Sequence, residues 1–137
     1  MKGELDQLKA IFKKSLEITL QNTDPENIDL ILDKRDESEF SDAWMQAYHL
    51  IEKQVTDPEV KSEIDAFRKD IFVLTFRSTG SSDLPASISD DVDLICSYYV
   101  LGIENKWIAH LLFTYLNDQI PQGTLMETDQ TIDELIK

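Results

Sequence analysis

The chain has 137 residues, and its 13 Lys and Arg face 27 Asp and Glu, a formal net charge of −14. A field of that sign repels phosphate backbones and anionic lipid, which argues against direct nucleic-acid binding and membrane-surface attachment. A lone cysteine excludes an internal disulfide framework, no apolar run approaches a membrane span, and four Gly and four Pro supply too few turns for a sandwich or barrel.

Leu5, Leu8, Phe12, Leu16 and Leu20 recur at three and four residues, with Ile11 and Ile18 widening the stripe. That spacing predicts a helix over residues 3–22, beginning at Gly3. Next comes TDPE, in which Thr23 and Glu26 have capping-box spacing and Pro25 suits a first helical turn. A short helix with Ile28, Ile31 and Leu32 follows. DKRDESE, residues 33–39, is charged throughout and reads as a connection or solvated turn.

Phe40, Trp44, Ala47, Tyr48, Ile51 and Val55 form the next periodic set. It meets a second TDPE, whose Thr56 and Glu59 can cap the helix lined by Val60, Ile64, Phe67, Ile71 and Leu74. The end of that helix, DIFVLTF, is apolar on more than one face, and a buried strand is the rival reading there. STGSSDLPAS, residues 78–87, is loop by composition. Ser87 or Ser89 then caps a helix with Asp90 and Asp91 in its first turn, where the helix dipole favours negative charge. Val92, Ile95, Cys96 and Tyr99 form its inner face, and Gly102 suits its C-terminal cap.

The last long helix runs through ENKWIAHLLFTYLNDQ and stops before Pro121 and Gly123. Its middle is apolar nearly all round, which makes it the candidate central helix. The tail holds a short amphipathic turn with Ile132, Leu135 and Ile136. The expected fold class is all-α: a single irregular bundle of five or six helices, one acidic helical domain over residues 1–137.

Two TDPE copies 33 residues apart raise the question of a tetratricopeptide array. Anchoring Pro58 as the closing proline puts Lys34 where that repeat needs glycine. Gln46 and Lys53 then fall where it needs small apolar residues. The two copies are helix starts with shared chemistry.

No catalytic constellation emerges. Cys96 lies on an apolar face, as an inert thiol would. His110 sits within WIAHLLF as a hydrogen-bonded structural histidine. His49 has no carboxylate at metal-ligand spacing on its own face. Glu39 to Asp42 gives an isolated ExxD without the ExxE of the all-α pyrophosphohydrolases, and SDDVD lacks the glycine and terminal Glu of a calcium loop. No Gly-rich phosphate loop is present, so no cofactor or metal is expected.

What remains is surface. One acidic cluster holds Asp33, Asp36, Glu37 and Glu39, and another Asp83, Asp90, Asp91 and Asp93. After Arg77 only Lys106 and Lys137 are basic, against ten acids. Tyr98 falls off the inner stripe of its helix and is expected to be exposed inside the acidic rim. An aromatic so placed suits a hot spot for a basic partner.

The segment SSDLPASISDDVDLI, residues 81–95, followed by the Trp107 helix, resembles the bacterial immunity proteins of contact-dependent inhibition and polymorphic-toxin systems. The resemblance is one of character, small, acidic and cytoplasmic, and no functional residue is carried over from it. It implies a non-catalytic protein that neutralises a basic toxin domain, a nuclease above all, by occluding its active site. Two other readings stay open: a helical adaptor that docks a partner helix in an apolar groove, and an enzyme with unrecognised chemistry.

Overall fold

The computed structural model describes residues 4–137, with only the backbone of Glu4, so the expected start at Gly3 lies outside the described residues. Helix α1, Glu4–Gln21, leads to a single 3-10 turn, Pro25–Asn27. Then come α2, Ile28–Asp36; α3, Ser38–Ile51; α4, Pro58–Thr79; α5, Asp83–Leu101; α6, Lys106–Leu116; and a short α7, Ile132–Ile136. The fold is an all-α bundle, with no strand among the described residues. DIFVLTF is helical throughout, inside α4.

The apolar stripe of α1 is buried along its length, from Leu5 through Phe12 to Leu20, whereas Ile18 stays partly exposed. Phe12 joins three helices, meeting Phe67 of α4 edge-on at 6.1 Å and Tyr115 of α6 at 4.7 Å. Helices α4 and α5 form a hairpin across the residues between Thr79 and Asp83, and α5 also packs on α1, α2, α3 and α6. Helix α6 is as apolar as expected, with Ile108, Leu111, Leu112 and Tyr115 fully buried. It shares the central position with α5, which is buried on two sides.

Three local expectations change. First, α5 begins at Asp83 rather than near Ser87, so most of STGSSDLPAS is helix. Pro85 falls in the first turn, where an amide hydrogen has no intrahelical acceptor and its loss costs nothing. The loop shrinks because Gly80, at φ 70°, ends α4 in the left-handed conformation and donates its N–H to the Phe76 carbonyl at 2.8 Å. Asp90 and Asp91 therefore lie two turns inside the helix, beyond reach of its dipole end.

Second, the charged run from residue 33 is mostly helix, and the break falls at Glu37 alone. Third, α3 stops at Ile51 and leaves Val55 90% exposed in the connection.

The TDPE copies do start helical turns, but the cap is the aspartate rather than the threonine. Asp24 accepts from the Glu26 amide at 3.0 Å, and Asp57 accepts from the Glu59 amide at 2.8 Å. Thr23 instead donates to the Thr19 carbonyl behind it. A complete capping box appears in the tail: Thr131 accepts from the Glu134 amide, and the Glu134 carboxylate accepts from the Thr131 amide. It sets α7 so that Ile132 and Ile136 are buried, and the tail docks.

Replacing Asp57 with Ala is expected to cost about 1 kcal/mol, the usual worth of an N-cap. Thr56→Ala should stay within about 0.5 kcal/mol, as for a surface change. Urea denaturation of both variants checks this; a larger loss at Thr56 would return the cap to the threonine.

Candidate partner-binding site

The helical period of α2 puts Ile28, Ile31 and Arg35 on one face, and all three are buried. On α5 the same logic aligns Leu84, Ile88, Asp91, Ile95 and Tyr98, every one of them buried. A cation and an anion thus occupy core positions in stripes that are otherwise apolar or aromatic, and they meet. Arg35 Nη2 donates to both carboxylate oxygens of Asp91, at 2.8 and 2.9 Å. Trp44 Nε1 donates to Oδ1 at 2.9 Å, and the Tyr115 hydroxyl donates to Oδ2 at 2.5 Å. Arg35 Nη1 donates to the Pro121 carbonyl at 2.8 Å, and its guanidinium lies 4.5 Å over the Phe40 ring.

Burial opposes the Arg35 charge, but Asp91 beside it overcomes that opposition and holds the guanidinium above its ordinary range. Burial, with the Asp91 charge, drives the Tyr115 phenol well above its usual value, so it keeps its proton and remains a donor. The cluster ties α2, α3, α5, α6 and the segment after α6 to one carboxylate.

Two expected contact residues are therefore corrected. Asp91 is 0% exposed and already saturated with donors, so it belongs to the core. Tyr98 is 1% exposed; its hydroxyl donates to the Ala47 carbonyl at 2.7 Å and joins α5 to α3. Both follow because α5 is covered on two sides: Val92, Ile95 and Cys96 are buried as expected, and Asp91 and Tyr98 are buried beside them.

The other acids are at the surface. Asp33, Asp36, Glu37 and Glu39 are exposed around the α2–α3 break, and Glu39 accepts from the Thr124 hydroxyl at 2.8 Å. Asp83 is exposed at the start of α5. Asp90 and Asp93 share Arg68, at 2.7 and 3.5 Å, and Arg68 also bonds Ser89. Burial, stronger than the pull of Arg68, raises the Asp90 carboxyl above its ordinary value.

A groove of about 170 Å³ brings an exposed member of each acidic cluster together. Asp36 and Asp90 line it, with Ser41, Trp44 and Met45 of α3, Ser87 of α5, and the Arg35–Asp91 pair beneath. Asp33, Glu37, Glu39, Asp83 and Asp93 lie outside this lining. Trp44 stacks on Tyr48 at 5.8 Å and 15°, and Tyr48 and Met45 are 40% and 42% exposed. These three residues, not Tyr98, are the aromatic and apolar groups beside the acids. Both belong to the periodic set of α3: Trp44 is half-buried against the core, whereas Tyr48 lies further round the wheel from Phe40, Ala47 and Ile51 and is exposed.

Other chemistry has a structural explanation. Cys96 is buried, and burial pushes its thiol up to about 12. His110 Nε2 donates to the Thr128 carbonyl at 3.2 Å and helps hold the tail. His49 has a carboxylate on its own face after all, Glu52 at 3.1 Å one turn on, but the pair stands alone at an exposed helix end. Among the described residues no group of three or more His, Cys, Asp and Glu is placed to hold a metal ion. No helix among them is long and apolar enough to cross a membrane.

The model of a protein family described as immunity protein PIM1 matches residues 7–122, which takes in most of α1, all of α2 through α6 and every residue lining the groove. No match to a curated protein was found.

Replacing Arg35 with Met should destabilise the fold by about 3–5 kcal/mol, because it strands a buried carboxylate. Arg68→Met, at the surface, should cost about 1 kcal/mol or less. Denaturant titration separates them, and similar losses would overturn the assignment of the internal pair. Cys96 should react with a thiol reagent at neutral pH only after denaturant is added; rapid labelling of the folded protein would contradict its burial.

Proposed function

Because the chain belongs to the PIM1 immunity protein family, we propose that it neutralises its cognate bacterial toxin by binding it, in the cytoplasm and without catalysis of its own. The toxin is a basic domain, a nuclease, and the acidic face covers its active-site cleft. The observation that carries this reading is the groove lined by Asp36 and Asp90 together with Trp44 and Met45, with Tyr48 stacked on Trp44.

The physical case has two parts. A nuclease cleft is built to attract phosphate, so it also attracts a protein of net charge −14. Steering alone gives a fast encounter and little residence, since exposed charge pairs contribute modestly. Residence comes from apolar and aromatic groups desolvated at the centre of an interface, with charges around them. The α3 flank supplies such a centre, and the exposed acids from Asp33 to Glu39 supply its rim.

The test takes the product of the gene that adjoins this one as the candidate toxin and expresses it alone and together with this protein. Co-production should restore growth to cells expressing that toxin. Association measured by stopped flow should slow roughly tenfold or more between low and high salt, with dissociation changing far less. An association rate indifferent to salt would remove the electrostatic reading. Excess substrate nucleic acid should compete with this protein for the toxin; a stable ternary complex would exclude occlusion of the active site.

A further inference from the structure

We propose that the groove between α3 and α5 seats one cationic side chain of the toxin, an Arg or Lys, between Asp36 and Asp90. Its aliphatic stem lies along Trp44 and Met45. The proposal rests on the toxin-binding reading and names the contact at its centre.

Size narrows the occupant. At about 170 Å³ the groove is smaller than the ~300–1,000 Å³ of small-molecule sites, and it suits a single side chain.

Charge selects its sign. Asp36 makes no ion pair among the described residues, and Arg68 engages Asp90 through Oδ1 only. The one cation in the lining, Arg35, has its Nη2 on Asp91 and its Nη1 on the Pro121 carbonyl, so it forms a closed pair with Asp91. An incoming guanidinium or ammonium thus meets two carboxylates at the rim above a pair that is neutral overall.

The walls suit the rest of the side chain. Long cationic side chains bury their methylenes against apolar surface while the head stays polar, and an aromatic face adds attraction to the charge. Met45 is exposed and unbranched, able to follow the contour of a stem. The Trp44 indole is held by the Nε1 bond to Asp91 and by the stack on Tyr48. A wall fixed before binding loses little freedom on contact. Asp91 therefore acts through Trp44, as a positioning residue that never touches the partner.

Binding of the 137-residue chain to the candidate toxin domain, disarmed by an active-site substitution, tests this by calorimetry with charge-matched variants. Asp36→Lys is paired with Asp133→Lys near the tail, and Met45→Arg with Leu50→Arg on the opposite flank of α3. Each pair changes the net charge equally, so a general field effect cancels within it. Asp36→Lys and Met45→Arg should each weaken binding roughly tenfold or more, and their controls by roughly threefold or less. Trp44→Phe keeps a ring but loses the bond to Asp91, and should weaken binding severalfold while the circular dichroism spectrum stays native.

Tight binding by the parent chain with equal losses within each pair overturns the groove proposal and leaves the toxin-binding reading intact. Larger losses at Asp133 or Leu50 overturn it in favour of another face. A parent chain that neither binds nor protects overturns both. The substituted side chains at 36 and 45 are exposed, so native spectra are expected for both variants.

Discussion

Everything on the α2–α3 side of this bundle depends on one carboxylate that water cannot reach. An isolated Asp in a core is costly, and Asp91 is tolerated because Arg35, Trp44 and Tyr115 supply donors to both its oxygens. Such a network is demanding in both directions. Complete, it admits one arrangement of α2, α3, α5 and α6; with a member missing, it leaves a charge or a dipole stranded. An apolar replacement of the same volume could hold the helices as tightly, but it would not dictate where the Trp44 ring stands. The buried pair sets geometry more than strength.

The long helices were legible because their apolar residues repeat at three and four, and burial followed the pattern from Leu5 to Tyr115. Boundaries were less legible. Composition marks Ser, Gly and Pro as loop, yet Pro85 sits in a first helical turn where proline is harmless. That misplaced start concealed Leu84 and Ile88 as core residues, and the cover on a second side of α5 buries Asp91 and Tyr98, two residues expected at the surface.

A signal was present all the same. Arg35 continues the spacing of Ile28 and Ile31, and Asp91 continues that of Leu84 and Ile88. A single charge in register with an apolar stripe is ambiguous, since exposed acids occur at every register of a helix. Two opposite charges, each in register with a core stripe, point to an internal pair. The groove was out of reach of such reasoning, because Asp36 and Asp90 are brought together by tertiary packing alone.

The acids of this protein fall into four populations that composition cannot separate. Asp24, Asp57 and Glu134 cap helical turns. Asp91 organises the core, and Asp90 and Asp93 are partly neutralised by Arg68. The exposed remainder, dense around the α2–α3 break, carries the field a basic partner would sense. Net charge overstates that field at any one place, and local geometry decides where it acts.

The hydrogen bond from Arg35 to the Pro121 carbonyl spans 86 positions of sequence. During synthesis, α1 through α3 exist long before their buried arginine has either Asp91 or Pro121 to bond. The groove's lining is drawn from α2, α3 and α5, yet the arginine at its base is fully bonded only when the segment beyond α6 lies across the bundle. A chain cut short before Pro121 would keep every lining residue and still leave one arm of that arginine without its acceptor.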